Sequence, residues 1–218
     1  MKTIIKYELV INEALRSALN YDTPDEQINE FIRFFGKHIG SDRIYIFEDC
    51  DEKHVTQNTY EWCADGIVPE IHELQNVDMD IIGWWYQAFD KDRNVIITDI
   101  EQIKDERRES YNLLKAQNVK NLVVCPIRYK DEIKGFFGVD NPPESDTLGL
   151  TTFLDMIGTL LISLLKLRNS FTKSNKEAML SSYSSLSSIY ISMALVNVHT
   201  HRYHIVKTLD EVVHFLGV

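Results

Sequence analysis

Long apolar runs are missing from this chain. The best candidate, Leu148 to Leu167, is interrupted by Asp155 and several Thr, Ser and Gly residues, short of the roughly 18 apolar residues a membrane span needs. No secretory pattern is present either: Thr3-Ile4-Ile5 is too short, and charged residues then break it. Positive charge is scarce. Lys and Arg number 23 against 33 Asp and Glu, a formal net charge of −10. No dense basic cluster occurs, and the mixed-sign run from Lys104 to Glu109 reads as a solvated helix face. Nucleic acid and anionic membrane are excluded as partners, because their phosphates would be repelled. Cysteine is limited to single residues at 50, 63 and 125, without CxxC or zinc spacing, which suits buried thiols in a reducing cytoplasm. Catalytic signatures are absent: no GxxxxGK[ST], GxSxG, HExxH, GGDEF, EAL or HD-GYP sequence occurs.

What is present is an ordinary globular composition, 44% hydrophobic, 26% charged and 11% aromatic, enough for a large core. The 218 residues suit one domain plus an extra piece. Ile4, Tyr7, Ile11, Leu15 and Ala18 predict a first helix. Thr23-Pro24-Asp25-Glu26 is a capping box with proline at the first helical position. It starts a second helix that carries Ile28, Phe31, Ile32, Phe35 and Ile39 and ends at Gly40. Arg43–Phe47 and Val55–Trp62 read as a hairpin, with Tyr45 and Phe47 on one strand face and Ile44 and Ile46 on the other. Residues 64–77 read as loop, and Ile81, Ile82, Trp85 and Phe89 mark a helix. A strand at Val95–Ile97, a helix over 104–117 and a hairpin of Leu122–Tyr129 with Ile133–Val139 follow. Asn118 tolerates the left-handed backbone that closes a helix.

Two stretches carry a family resemblance. LLKAQNVKNLVVCPI followed by GFFGVDNP, within residues 94–142, resembles the last strands of a GAF domain. TYEWCADGIVPEIHELQNV, Thr59 to Val77, resembles GAF domains found upstream of GGDEF cyclases in bacterial sensory proteins. The resemblance as a whole covers nearly all of residues 5–168. The resemblance implies an α+β fold: a central antiparallel sheet with helices on both faces and a long C-terminal signalling helix. It implies a domain over 1–170 that binds an unidentified small molecule and signals to a downstream effector in the same chain, a diguanylate cyclase making cyclic di-GMP. The segment itself would not be an enzyme. In the family the inner sheet face forms the ligand cavity, which points to Tyr45, Phe47, Tyr60, Trp62, Trp85 and Tyr111 as its walls. Aromatic walls suit a planar or apolar ligand; core packing explains any one of them equally well.

The ligand, and any cofactor, stays unnamed at this level. The NKxnFDE run of cyclic-nucleotide GAF domains is missing. The Cys-His pair of bilin-attaching ones is missing too, since Cys50, Cys63 and Cys125 precede Asp51, Ala64 and Pro126. Nothing supports haem at His38, His54 or His72, or the cysteine arrangement of GAF-type methionine sulfoxide reductases. The rival reading is a GAF fold with its cavity filled, serving only to dimerise.

Leu150, Leu154, Ile157, Leu161 and Leu164 repeat at coiled-coil spacing and are the expected homodimer interface. The alternative is one wide face buried within a single chain. Beyond Arg168, Ser181–Ser188 is serine-rich, yet Leu180, Tyr183, Leu186, Ile189 and Met193 keep helical spacing. Ala194–Val198 and Tyr203–Val206 then resemble the first hairpin of a PAS domain. Fewer than half the roughly 100 residues such a domain needs remain, so 171–218 is expected to be a linker helix and a truncated PAS start. His199, His201 and His204 lack a completing Cys or carboxylate and read as surface residues.

Overall fold

The structure is a computed structural model. It describes the backbone of residues 2–143 and 147–194, and the side chains of 9–143 except 51, of 150 and 154, and of 157–178. Two compact units divide at Arg168 and Asn169. Within the first, α1 (Lys2–Ala18) and α2 (Pro24–Ile39) come first. The capping box forms: the Thr23 side chain accepts from Glu26 N, and Glu26 Oε2 accepts from Thr23 N at 3.1 Å. Gly40, at φ 76°, ends α2.

Six strands follow: β1 (Arg43–Cys50), β2 (Val55–Cys63), β3 (Val77–Asp78), β4 (Val95–Ile97), β5 (Leu122–Tyr129) and β6 (Glu132–Asp140). They form one sheet in the order β3-β2-β1-β6-β5-β4, antiparallel throughout. Short loops suffice for the sharpest reversals because His54 and Lys130 take left-handed backbone, at φ 53° and 56°. Two helices sit among the later strands, α3 (Gly83–Phe89) and α4 (Arg108–Ala116). Asn118, at φ 59°, turns the chain after α4. Last comes α5 (Thr147–Ala194), whose backbone is helical through the serine-rich stretch. Residues 195–218, with the expected PAS hairpin and its histidines, lie outside the described residues.

Alternation along β1 splits the interior in two. Ile44 and Ile46 join a core built from α1, α2, α5 and one sheet face. Tyr45 and Phe47 join a second core under α3, α4 and the loops on the other face.

That division corrects the expected dimer interface. Leu150, Leu154, Ile157 and Leu161 have no exposed surface and pack with Val123, Cys125, Phe137 and Val139 of the same chain. Leu164 is partly buried against the same core. A fully buried Leu or Ile side chain gives about 1.5–3 kcal/mol once, and here the chain's own sheet has taken it. From Leu150 to Leu161 the stripe is therefore core of this chain, and Leu164 keeps some exposed surface.

Candidate functional site

The site lies between the second sheet face and its cover. Tyr45 and Phe47 of β1 and Phe136 of β6 form its floor, with Phe47 and Phe136 stacked at 4.7 Å between ring centroids. Leu74, Val77, Ile82 and Trp85 also line it, with Leu113 and Leu114 of α4, Gln117 just beyond that helix, and Asp140. Trp85 meets Phe136 edge-on at 5.5 Å. The cover is itself pinned: Trp84 Nε1 donates to Ser110 Oγ at 2.9 Å, joining α3 to α4. The free space among these residues is about 30 Å³, room for little more than a water. The aromatic rings nearly fill the pocket, so anything larger must move side chains of the cover.

A buried ionic centre stands at the polar end. Arg43 lies 3.1 Å from Asp140 and 3.3 Å from Glu61, and all three side chains are almost wholly enclosed. Arg43 also donates to Val68 O at 2.9 Å, and Glu61 Oε2 accepts from Glu70 N and Ile71 N at 2.9 and 3.1 Å. These bonds fasten the 64–76 loop over the pocket. Burial pushes the Asp140 carboxyl up to about 7 against the pull of Arg43. Burial, then the neighbouring Asp140 charge, pushes the Tyr45 phenol well up. Two polar atoms in the pocket walls are buried without a hydrogen-bond partner among the described residues: Trp85 Nε1 and Asp140 Oδ1. Such atoms are rare and call for a reason.

Of the residues expected to wall the cavity, Tyr45, Phe47 and Trp85 do so. Tyr111 is in the same core but does not line the space, and its hydroxyl donates to Glu101 Oε1 at 2.9 Å. Tyr60 and Trp62 require correction. They pair with Ile46 and Ile44, so they face the α2 side of the sheet. The Trp62 ring lies against Gly36 of α2, where any Cβ would overlap it. Their neighbour Glu61 points to the site instead, because successive side chains alternate. Phe136, Arg43, Gln117 and Asp140 were not anticipated. The same alternation could have found three of them: Arg43, Tyr45 and Phe47 pair with Asp140, Gly138 and Phe136. Cys125 is buried, with its Sγ donating to Leu154 O at 3.1 Å, and Cys50 and Cys63 are half-buried. Elsewhere, His54, Asp78 and Asp80 bring ligand atoms within 4.8 Å of one another on the exposed surface.

A family model for the GAF domain matches residues 23–164. The chain belongs to the GAF domain family. Membership makes this segment a regulatory module rather than a catalytic one. A curated relative, the methanogenesis regulatory histidine kinase FilI of Methanothrix harundinacea, is 26% identical over 128 residues. That match covers 56% of this chain and 14% of the relative, so the chain spans a small part of that protein. Among solved structures, a far-red-absorbing dark state with bound biliverdin IXa superposes with a TM-score of 0.60 at 11% identity, covering 73% of this chain and 99% of that one. The phycoerythrobilin-bound GAF domain of a cyanobacterial phytochrome gives 0.58 at 17%, over 75% and 97%. The GAF domain of an Acinetobacter phosphoenolpyruvate-protein phosphotransferase gives 0.56 at 9%, over 77% and 97%. These likenesses are likenesses of fold. No helix among the described residues is long and apolar enough to cross a membrane.

Proposed function

We propose that this GAF domain is a sensor that takes a small molecule between the sheet and α3 and α4. The reading rests on the aromatic pocket whose walls hold two buried polar atoms without partners. Occupancy reaches α5 through β1. Phe47 lines the pocket, and the next residue, Glu48, grips Arg168 with two bonds of 2.7 Å. A ligand that lifts Phe47 off Phe136 shifts Glu48 and so biases the helix. It does so only by its differential affinity for the two positions. The effector is a further domain of the same cytoplasmic protein. The 59–77 resemblance favours a diguanylate cyclase; the kinase relative supports a signalling protein in general.

The homodimer belongs to the proposal with a different surface. Leu167 and Phe171, one turn apart on α5, are 52% and 41% exposed, and such positions share a helix face.

The small free volume favours a second reading, a filled module that only assembles. A thermal-shift screen of small molecules on the chain and on its Leu113→Trp variant separates the two. A ligand of the native state raises Tm, by an amount that grows with the logarithm of its concentration over Kd. Compounds that raise the Tm of the parent but not of the pocket-filled variant support the sensor. A library in which none discriminates supports the filled module.

A further inference from the structure

Gln117 and Asp140 stand where two cavities meet. One is the aromatic pocket; the other, about 100 Å³, is lined among others by Asp42, Arg43, Glu70 and Asn141. Three carboxylates thus face this annex, and its one cation among the described lining residues is already engaged by Asp140, Glu61 and Val68 O. One guanidinium between two buried carboxylates leaves a negative charge uncompensated whenever both are ionised. Asp140 is 2% exposed, its Oδ2 takes the Arg43 bond, and its Oδ1, with the Tyr45 phenol beside the carboxyl, is buried without a well-formed hydrogen bond among the described residues. A buried unpaired carboxylate is costly, so a compensating group must be a proton, a metal ion or an organic cation. A metal ion does not fit: among the described residues, the group with converging ligand atoms is His54, Asp78 and Asp80, outside the annex. A proton is the compensating group at low pH, since burial raises the Asp140 carboxyl; an organic cation can take its place where the carboxyl is ionised.

We propose that the annex receives the ammonium head of a small organic amine, with Asp140 Oδ1 as its acceptor and its apolar body running past Gln117 toward Tyr45 and Trp85. This deepens the sensor reading and rests on it. An ammonium has three donors and no acceptor, which matches a cavity rich in carboxylates. The annex holds about three waters' worth of space, right for an ammonium on a short chain and too small for a nucleotide. Organic anions are repelled by Asp42, Glu70 and Asp140.

The test is an amide NMR titration of the full chain at pH 8 with benzylamine and with benzyl alcohol, its neutral counterpart of equal size. Benzylamine should bind about tenfold tighter or more, the scale of a charge-assisted hydrogen bond, and shift amides near Asp140. Asp140→Asn should remove that preference while leaving the alcohol's affinity alone. Glu70→Gln, which keeps the Glu70 N–H on Glu61 and changes only the side-chain charge, should reduce it and serves if Asp140→Asn fails to fold. Lowering the pH to 5.5 should weaken only the amine, as Asp140 protonates beside Arg43, Tyr45 and Glu61. Equal binding of the two probes, or an amine affinity untouched by both substitutions, overturns the proposal. Failure of both probes also counts against it. The sensor reading would then stand if the thermal-shift screen finds compounds sensitive to Leu113→Trp, and would fall with it if none is found.

Discussion

Asp140 shares the Arg43 guanidinium with Glu61, all three almost wholly buried, so its protonation is coupled to folding. Its carboxyl is raised to about 7 in the folded chain by burial, against about 3.9 in an unfolded one. Between those values the folded state holds a proton that the unfolded state has released. The group therefore favours folding at low pH, and that contribution is lost as pH rises through about 7. Replacing Asp140 with Asn should raise stability relative to the parent more at pH 8 than at pH 5, as read by urea unfolding. An equal difference at both values would show that Asp140 is already ionised in the folded chain at pH 5. Gly138 is a second sensitive position. A Cβ there would press into the Tyr45 ring, so Gly138→Ala should cost about 1–3 kcal/mol by overpacking, measured the same way. These residues also show how far the sequence could be read. Tyr45 and Phe47 followed from alternation within β1. Tyr60 and Trp62 were chosen for being aromatic, and pairing register put them on the other face. Asp140 falls one residue beyond the expected Ile133–Val139 strand, and its pairing to Arg43 spans 97 residues.

At the scale of elements, α5 carries the account. Its 150/154/157/161 stripe is a strip of core. Ile157→Ala or Leu161→Ala should each destabilise the fold by about 2–5 kcal/mol, with oligomeric state unchanged in the folded fraction by light scattering. Dissociation without loss of stability would return the stripe to an interface. Two heptads do not separate a 3.5 from a 3.6 repeat, so the sequence could not say which surface the stripe met. Farther along α5, Arg168 bridges to Glu48 and lies 3.2 Å from the Tyr60 hydroxyl, which donates in turn to Asp25. The pair is partly exposed, so Arg168→Met should cost only about 1 kcal/mol. Its larger effect should be on communication: a pocket ligand should still bind, but amide exchange in α5 should no longer respond to it. A response equal to the parent's would route the signal elsewhere. The helices, the hairpins and the caps at Thr23 and Asn118 were legible because each depends on a few adjacent residues. The cover was not, since the 64–76 loop is placed by Arg43 and Glu61 from distant strands.

For the whole molecule, the proposal joins a GAF domain to an output through one helix and, with Leu167 and Phe171, through a second copy. Leu167→Glu with Phe171→Glu should leave the fold intact and give a monomer by light scattering, since both side chains are already exposed. A dimer of unchanged affinity would place the interface on another surface. The central claim is that the pocket holds a small molecule. Native mass spectrometry of the full chain, purified alongside its Leu113→Trp variant, tests it most directly. The account predicts a non-covalent adduct of a few hundred daltons or less on the parent and none on the folded variant. Bare mass for both, or the same adduct on both, would contradict it.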